Sequence, residues 1–416
     1  MAMSRRVEGG RVADRRGSRS QQGPRPGQDK AYRGWRALLN PVWCYNGFLT
    51  TVTATTVFGL VMVFSSSSVD LVARGQSPWN QALRQGIYCL IGLVVSVVAA
   101  HIRVGTYARF SLAFLIFSQF VQALTFTRLG LSTNGNAGWI SFRGVTMQPA
   151  EMLKLALCIW LPKALMDARR RHDKLEEHSW LAYVTPVAGF MISFILIMAG
   201  KDLGTAMIVV IIGFAAFLVS GFSLKWLLSL SLLGLAGIIA FAVMGSSNRM
   251  KRIMATYGQC SGQDVQSVCY QSIHGMYAMA SGGLTGVGLG NSREKWNYLP
   301  EAHNDFIFAV IGEELGFLGA ALVVLAFVVM GWCMVRLALT TRDRYAAMVL
   351  TCLAVWIVGQ ALVNICVVLG ILPVMGLPLP FVSAGGTALI LCLMAAGVAV
   401  RMMRTQDDVR ASVEGD

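Results

Sequence analysis

Ten long apolar segments constrain how this chain can fold. Most are roughly 18–26 residues long, the length with which a helix crosses about 30 Å of hydrocarbon. Hydrophobic residues make up 55% of the chain and charged residues 13%, a composition typical of membrane proteins. The sequence therefore predicts an all-α integral membrane protein with about ten transmembrane helices. These helices are placed near residues 47–66, 81–101, 110–127, 149–166, 181–200, 203–222, 225–245, 305–336, 346–371 and 384–402.

Basic residues indicate the orientation of these helices. Residues 1–46 hold ten Lys or Arg against three acids and so contribute +7 of the net charge of +14. They predict a disordered basic cytoplasmic tail near anionic lipid, which we favour over a nucleic-acid-binding arm. Lys and Arg place both termini in the cytoplasm, with a membrane domain over 47–405 and a second tail over 406–416. A large extracytoplasmic loop, 246–304, follows helix seven and is long enough to be functional.

Acids stand where a polar loop becomes an apolar segment, in the stretch KWNYLPEAHNDFIFAVIGEELGFLG (residues 295–319). Asp305 lies at this boundary, and Glu313 and Glu314 follow inside the apolar run. Carboxylates in a membrane segment are costly, so they indicate a role. On a helix Glu313 and Glu314 point in different directions, and we assign both to structure. Asp305 could simply cap the helix, but polar neighbours such as His303 favour a site.

Further polar residues fall at the start of the fourth predicted helix. Glu151 and Lys154 are spaced i, i+3, so they can pair on one helix face and either hold the fold or line a cavity. Trp139 precedes them in the outer connection NAGWISFRGVTMQPAE. By composition alone this tryptophan is typical of the interfacial aromatic belt.

The tenth helix has a broken start. Its sequence, GLPLPFVSAGGT over residues 376–387, includes Pro380 and Ser383. Irregular backbone at membrane depth is tolerated only where protein or a water-filled cavity surrounds it. Asp202, at the outer end of the sixth helix, is predicted to be structural like Pro380 and Ser383. Together these features predict a polar, basic cavity that opens outward and is walled by helices four, six, eight and ten.

Cysteine and glycine usage characterises the long outer loop. Cys260 and Cys269 are close in sequence and predicted to face an oxidising exterior, so a disulfide between them is favoured over two free thiols. The Gly-rich stretch 271–290 follows no strand, so we reject a nucleotide-binding fold. Its glycines are expected to permit tight turns against the membrane surface. No Cys/His spacing predicts a zinc site.

These motifs resemble those of the SEDS family of bacterial cell-division and cell-elongation proteins. The resemblance covers roughly residues 47–405 and is most specific in YLPEAHNDFIFAVIGEELGFLG and SGGLTGVGLGNS, with QPAEMLKL, KDLGT and LPFVSAGGT matching further blocks. The form EAHNDFIFAVIGEELG and the basic N-terminal arm are more similar to the cell-division branch. The resemblance implies a peptidoglycan glycosyltransferase, a hexosyltransferase that polymerises lipid II at the outer face of the plasma membrane during septal cell-wall synthesis.

The resemblance also implies roles for individual residues. The family's essential Asp falls on Asp305, which would take the proton from the acceptor hydroxyl. Its functionally important Trp falls on Trp139, and its conserved Glu and Lys fall on Glu151 and Lys154. The chain departs from the family in having Gly138 where a basic residue is common and Lys201 where Pro is common. Candidate contacts to substrate, including cations for the diphosphate, are Arg249, Arg252, Arg293, Lys295 and His303.

The partners implied by the resemblance are lipid II (an undecaprenyl-diphosphate-linked disaccharide peptide), a class B penicillin-binding protein that acts as transpeptidase, other divisome proteins and the membrane. Nucleic acid is not expected. No cofactor is certain, and a divalent cation stays open. Two other functions also stay open, a lipid II flippase and a divisome scaffold without chemistry. A flippase would need coupling-ion sites near mid-membrane, whereas the acids lie towards the outer ends of the helices.

Overall fold

The computed structural model describes residues 34–133, 136–142, 145–172, 179–222, 269–296 and 298–414, with Tyr32 and six positions between 225 and 234. Two compact units are distinguished, one ending at Asn40 and one spanning Pro41–Asp416. In the first, a short 3-10 helix spans Gly34–Leu39. The predicted disorder of the N-terminal tail falls mostly outside the described residues and stays a prediction.

The second unit is built from helices, as predicted. The first helix begins at Pro41, earlier than the predicted residue 47, because proline is favourable in the first turn of a helix. The described helices are α1 (Pro41–Ala73), α2 (Asn80–His101), α3 (Val104–Ala123), α4 (Pro149–His172), α5 (Val184–Ala199), α6 (Leu203–Ser220), α7 (Tyr270–Ser281), α8 (Ile307–Thr340), α9 (Arg344–Val368), α10 (Gly386–Met403) and α11 (Asp407–Glu414).

Eight of the ten predicted membrane helices are long and apolar enough to cross a bilayer, namely α1, α2, α3, α5, α6, α8, α9 and α10. The span of α5 is counted from Leu181, with part of the 3-10 helix that precedes it. The predicted seventh helix, 225–245, lies largely outside the described residues. The predicted fourth helix is α4, which is long but more polar than the others. Sixteen of its 24 residues are buried, so neighbouring helices shield its charged side chains from lipid.

A small antiparallel sheet joins α3 to α4, which the sequence did not predict. Its strands are β1 (Gly130–Thr133), β2 (Asn136–Phe142) and β3 (Val145–Met147), arranged in the order β1-β2-β3. Trp139 on β2 faces Leu131 on β1, and Ile140 faces Met147 on β3. This sheet lies at the same end of the bundle as segments 282–306 and 369–385, and we call that end the site end.

The long helix α8 is broken near its start at Gly316, where φ is 67° and ψ is −166°. The break frees backbone groups that the glycine-rich segment 283–288 satisfies. The N–H groups of Val287 and Gly288 donate to the carbonyls of Glu313 and Glu314, each at 3.0 Å. In return, the N–H groups of Phe317 and Leu318 donate to the carbonyls of residues 283 and 284 at 2.9 and 3.1 Å. These four bonds replace helical hydrogen bonds that the break removes, which makes the break tolerable in a membrane helix.

The glycines of this segment permit tight turns, as predicted, but they pack against α8. Gly286 has φ +83°, and a Cβ there would lie 2.2 Å from the carbonyl oxygen of Glu314. At Gly282 a Cβ would lie 1.9 Å from the carbonyl oxygen of Gly312. Only glycine allows this backbone-to-backbone approach.

Glu313 and Glu314 are both buried and have different partners, in line with their predicted divergence on the helix. Glu313 accepts hydrogen bonds from the Ser292 hydroxyl and from the Arg293 backbone N–H at 2.8 Å. Glu314 pairs with Lys295 at 2.8 Å and accepts from Ser65 on α1 at 2.7 Å. The two acids therefore hold the segment that leads to Asp305 against α8 and α1.

Cys269 is buried and disulfide-bonded at the start of α7. Cys260 lies outside the described residues, so the bridge between the two stays a prediction.

We expect mass spectrometry of a non-reduced digest to recover one peptide pair linked through Cys260 and Cys269. Alkylation of both thiols without prior reduction would contradict the bridge.

Replacing Gly286 by alanine is expected to destabilise the fold. The left-handed backbone costs about 1–3 kcal/mol for a residue with a side chain, and the added Cβ would also meet α8. The melting temperature of the purified protein in detergent should fall by several degrees. Gly105→Ala is the matched control, because a Cβ at Gly105 meets nothing within 4 Å. Equal melting temperatures for the two variants would contradict this account of α8.

Candidate functional site

A cavity of about 360 Å³ lies at the site end. Its lining comes from the first half of α2, the sheet and Gln148, the segment before α8, and the segment around the start of α10. The lining residues used below are Gln81, Arg84, Gln85, Tyr88, Trp139, Gln148, Glu301, Asn304, Asp305, Gly376, Pro378, Ala384, Gly385 and Thr387.

The prediction that helices four, six, eight and ten wall this cavity is partly wrong. Helix α2 forms a wall that the sequence analysis missed, and α4 and α6 contribute no lining residue within the described part of the chain. Both helices lie behind the lining instead. Asp202 caps α6 by accepting from the Thr205 N–H at 3.0 Å, and it also accepts from the lining residue Gln148 at 3.1 Å. Asp202 thus supports the cavity wall, consistent with its predicted structural role.

Asp305 lies in the cavity lining and is half-buried. Helix α8 begins at Ile307, with Phe306 at the N-cap, so Asp305 stands one residue before the capping position. Gly376, with φ +70°, faces the Asp305 carboxylate so closely that a Cβ on it would lie 3.5 Å from Oδ2. Glycine at this left-handed position therefore lets the segment before α10 run next to the carboxylate without strain.

Asn364 on α9 fixes the backbone on both sides of this carboxylate. Its side-chain amide donates to the carbonyl of Asp305 at 2.8 Å and to the carbonyl of Leu377 at 2.7 Å. Asn364 is only 1% exposed. One buried side chain therefore ties the segment before α8 to the segment before α10.

Ser383 makes a second link between these segments. Its hydroxyl donates to the carbonyl of Asn304 at 2.8 Å and accepts from the Leu379 N–H at 2.8 Å. Beside it, the Ala384 N–H donates to the carbonyl of His303 at 2.9 Å. The broken start of α10 is thus held by specific hydrogen bonds, as its Pro- and Gly-rich sequence required. Pro380 is buried in the same turn.

Glu151 and Lys154 form a fully buried ion pair at 2.8 Å on α4. Lys154 also donates to Oε1 of Gln360 at 2.6 Å, and Nε2 of Gln360 donates to the carbonyl of Pro378 at 2.8 Å. This chain of contacts runs from α4 through α9 to the cavity wall. Glu151 also reaches the wall through its backbone, because its N–H donates to the carbonyl of the lining residue Gln148 at 3.2 Å. Neither side chain lines the cavity, so direct contact of Glu151 and Lys154 with a ligand stays a prediction.

The other predicted contacts also lie away from the lining. Lys295 is 4% exposed and paired with Glu314, and its ammonium also donates to the carbonyl of Gly290 at 2.6 Å. His303 is half-buried outside the lining. Burial lowers the pKa of His303, against the opposing effect of the Glu301 and Asp70 carboxylates, which favours a neutral imidazole at pH 7. Arg249 and Arg252 lie outside the described residues.

Helix α2 supplies the functional candidates that the sequence analysis missed. Gln85 is 3% exposed, donates to the carbonyl of Ser383 at 3.2 Å and accepts from the Gly385 N–H at 3.3 Å. Arg84, next to it, lines the cavity. A signal was present, because Gln81, Arg84, Gln85 and Tyr88 place polar groups at i, i+3, i+4 and i+7 of an otherwise apolar helix.

The described residues include no group of three or more His, Cys, Asp or Glu side chains that could hold a metal ion. Two carboxylates, those of Asp305 and Glu301, reach the cavity lining. Glu301 accepts from the Asn304 amide at 2.5 Å.

Removing the Asn364 amide is expected to loosen the cavity wall. In Asn364→Leu two buried carbonyls lose their donor, at a cost of about 1–3 kcal/mol for each group left unpaired. Hydrogen exchange followed by mass spectrometry should show faster exchange in 379–384, where the N–H groups of Leu379 and Ala384 are bonded. Asn80→Leu, at an exposed amide, is the control. Unchanged exchange in Asn364→Leu would contradict the proposed link.

Comparison with known proteins places this chain in a family. The family model described as cell cycle protein, for FtsW, RodA and SpoVE, matches residues 46–408. Stage V sporulation protein E of Bacillus subtilis (strain 168) is 34% identical over 348 residues, covering 83% of this chain and 93% of that protein. The probable peptidoglycan glycosyltransferase FtsW of Mycobacterium tuberculosis (strain ATCC 25618 / H37Rv) is 31% identical over 410 residues, covering 96% and 76%.

Solved structures share the fold. The rod shape determining protein RodA of Thermus thermophilus superposes with a TM-score of 0.64 at 23% identity, over 87% of this chain and 97% of that one. A chain from the structure described as "Structural coordination of polymerization and crosslinking by a peptidoglycan synthase complex" gives a TM-score of 0.69 at 23% identity, over 87% and 98%. The family match and the curated relatives confirm the resemblance found in the motifs: the chain belongs to the FtsW/RodA/SpoVE family of cell cycle proteins, the SEDS family, and is FtsW-like.

Proposed function

We propose that this protein is a peptidoglycan glycosyltransferase that polymerises lipid II into glycan strands. Relatives named probable peptidoglycan glycosyltransferase FtsW, 31–32% identical over most of the chain, support this assignment. The observation that carries it is the position of Asp305. Its carboxylate lines a polar cavity beside Gly376, and buried hydrogen bonds from Asn364 and Ser383 fix its backbone segment.

Asp305 acts as the general base. Its carboxylate takes the proton from the 4-hydroxyl of the acceptor GlcNAc, and that oxygen attacks the anomeric carbon of the donor MurNAc. The new glycosidic bond forms as the bond between the anomeric carbon and the diphosphate oxygen breaks. Its electron pair leaves with undecaprenyl diphosphate, and the proton stays on Asp305 until solvent removes it. Holding the base and both sugars in one small cavity supplies much of the rate through proximity.

The other site residues have supporting roles in this proposal. Trp139, half-buried on β2, offers an aromatic face to a sugar ring at the cavity wall. Glu151 and Lys154 act through Gln360, which holds the carbonyl of Pro378 in the wall. Lys295 neutralises Glu314 and so positions the segment that leads to Asp305. In this proposal Glu151, Lys154 and Lys295 position other residues and do not touch the substrate, which differs from the role predicted from the sequence.

The cellular setting is also part of the proposal. The family match, to cell cycle proteins, supports a role in bacterial cell division. In this proposal lipid II reaches the cavity from the outer leaflet and both termini lie in the cytoplasm, as the distribution of Lys and Arg predicts. A class B penicillin-binding protein would crosslink the strands, alongside other divisome proteins. The relative described as a peptidoglycan synthase complex supports this pairing of polymerisation with crosslinking.

Asp305→Asn is expected to abolish polymerisation, because an amide of the same shape cannot accept the proton. The loss should exceed about 10²-fold, the usual lower range for general-base catalysis. Purified protein, alone and with its transpeptidase partner, is incubated with labelled lipid II, and the glycan length is read on a gel. Asp407→Asn, an exposed acid on α11, is the control and should polymerise like the wild type. Near-normal glycan from Asp305→Asn would remove Asp305 as the base.

The same material separates the enzyme from a lipid II flippase. In vesicles a flippase would move lipid II between the leaflets and make no glycan with any partner. Robust translocation without polymerisation, dependent on a proton gradient, would overturn the glycosyltransferase assignment.

A further inference from the structure

We propose that Arg84 on α2 binds the diphosphate of the lipid-linked donor and stabilises it as a leaving group. The inference rests on the proposed function and deepens it, because it assigns the diphosphate end of the substrate to one wall of the cavity. The cations predicted for this role from the sequence are Arg249, Arg252, Arg293 and Lys295, with no order among them.

Arg84 lies on the face of α2 that is turned to the cavity. The side chains of Gln81, Arg84, Gln85 and Tyr88 all reach the cavity lining, which means that one face of α2 forms a wall. Gln85 fixes this face, since it is buried and bonded to both Ser383 and Gly385 at the start of α10. The helix therefore presents Arg84 to the cavity from a rigid element, which is what a binding group requires.

Arg84 supplies the positive charge that a diphosphate-binding group needs. Arg84 is the only cationic residue in the cavity lining within the described part of the chain. Of the cations predicted for this role, Lys295 is buried and neutralised by Glu314 at 2.8 Å, and Arg293 lies outside the lining. Lys154 is also buried and is neutralised by Glu151 at 2.8 Å. Arg84 makes no ion pair or hydrogen bond with any described residue, so its full charge is available to a ligand.

Negative and positive charge lie on different walls of the cavity. Asp305 and Glu301 lie on the segment before α8, whereas Arg84 lies on α2. A diphosphate is repelled by the two carboxylates and attracted by the guanidinium, so it is directed to the α2 wall. The acid side is left for the acceptor hydroxyl. Guanidinium also matches phosphate oxygens through its planar fork of donors.

When the bond between the anomeric carbon and the diphosphate oxygen breaks, its electron pair moves onto that oxygen. Negative charge on the diphosphate is therefore greatest in the transition state and after it. A cation carried beside this oxygen by α2 stabilises the transition state more than the ground state, which raises kcat.

Direct binding tests the inference without requiring catalysis. Undecaprenyl diphosphate is titrated into the full-length protein in detergent, with neutral undecaprenol as the reference ligand. Arg84→Gln should raise the Kd for the diphosphate by about tenfold to hundredfold, the usual effect of losing hydrogen bonds to a charged group. Binding of undecaprenol should not change. Arg84→Lys, which keeps the charge but loses the fork, should fall between wild type and Arg84→Gln and serves if Arg84→Gln does not fold.

Arg128→Gln is the matched control, because Arg128 is exposed at the site end and lies outside the cavity lining. It should bind both lipids like the wild type. Turnover gives a second readout: in Arg84→Gln, kcat should fall by about 10²-fold while KM changes less.

The inference is overturned if Arg84→Gln and the wild type have the same Kd for undecaprenyl diphosphate. It is equally overturned if the substitution raises the Kd for undecaprenol as much as the Kd for the diphosphate. It is also overturned if the wild type does not prefer the diphosphate to undecaprenol. Failure of the proposed function gives a different result, since the wild type would then make no glycan while the Arg84-dependent difference in diphosphate binding remained.

Discussion

The hydrogen bonds that Asn364 donates hold the site of this protein together. Two irregular backbone segments lie within the bundle, one before α8 and one before α10, and neither can satisfy its own polar groups as a helix does. Asn364 bonds the carbonyls of Asp305 and Leu377 from a fully helical position on α9. Gln360, one turn earlier, bonds the carbonyl of Pro378 in the same way. The rigid helix thereby sets the place of the cavity acid.

The buried charges follow a consistent pattern. Glu151 with Lys154, and Glu314 with Lys295, are pairs whose members are almost inaccessible to solvent. Breaking such a pair leaves an uncompensated charge and is strongly destabilising, so these residues are expected to be sensitive to substitution without touching substrate. Among the residues that the structure describes, the charged side chains in the cavity lining are Asp305 and Glu301 on one side and Arg84 on the other.

Much of the fold was predictable because membrane helices are encoded locally, by length and hydropathy. The positions of α1, α2, α8 and α10 followed from that signal alone. Helix α4 shows the limit of the hydropathy signal. This helix can carry charged residues because other helices cover it, and that cover depends on tertiary packing. The β-sheet around Trp139 was also missed, since its short strands carry little periodicity.

The candidate site was predictable in part. Asp305 was indicated by its position at a polar boundary and Trp139 by the family resemblance, and both line the cavity. Lys295 looked like a free cation because its partner, Glu314, is brought to it only by the break in α8. Arg84 was not singled out from the sequence, because the contacts that bring α2 to the start of α10 join segments about 300 residues apart. Contacts between distant segments decide which charges stay free, and one sequence does not contain them.

The most direct test of the account is a structure of the Asp305→Asn variant with lipid II and a short glycan acceptor bound. Substitution of the base should trap both sugars before reaction. The account predicts the acceptor 4-hydroxyl oxygen within about 2.6–3.2 Å of the residue-305 side chain, with the donor's anomeric carbon beside it. A donor and acceptor bound outside this cavity, or an acceptor hydroxyl directed away from residue 305, would contradict it.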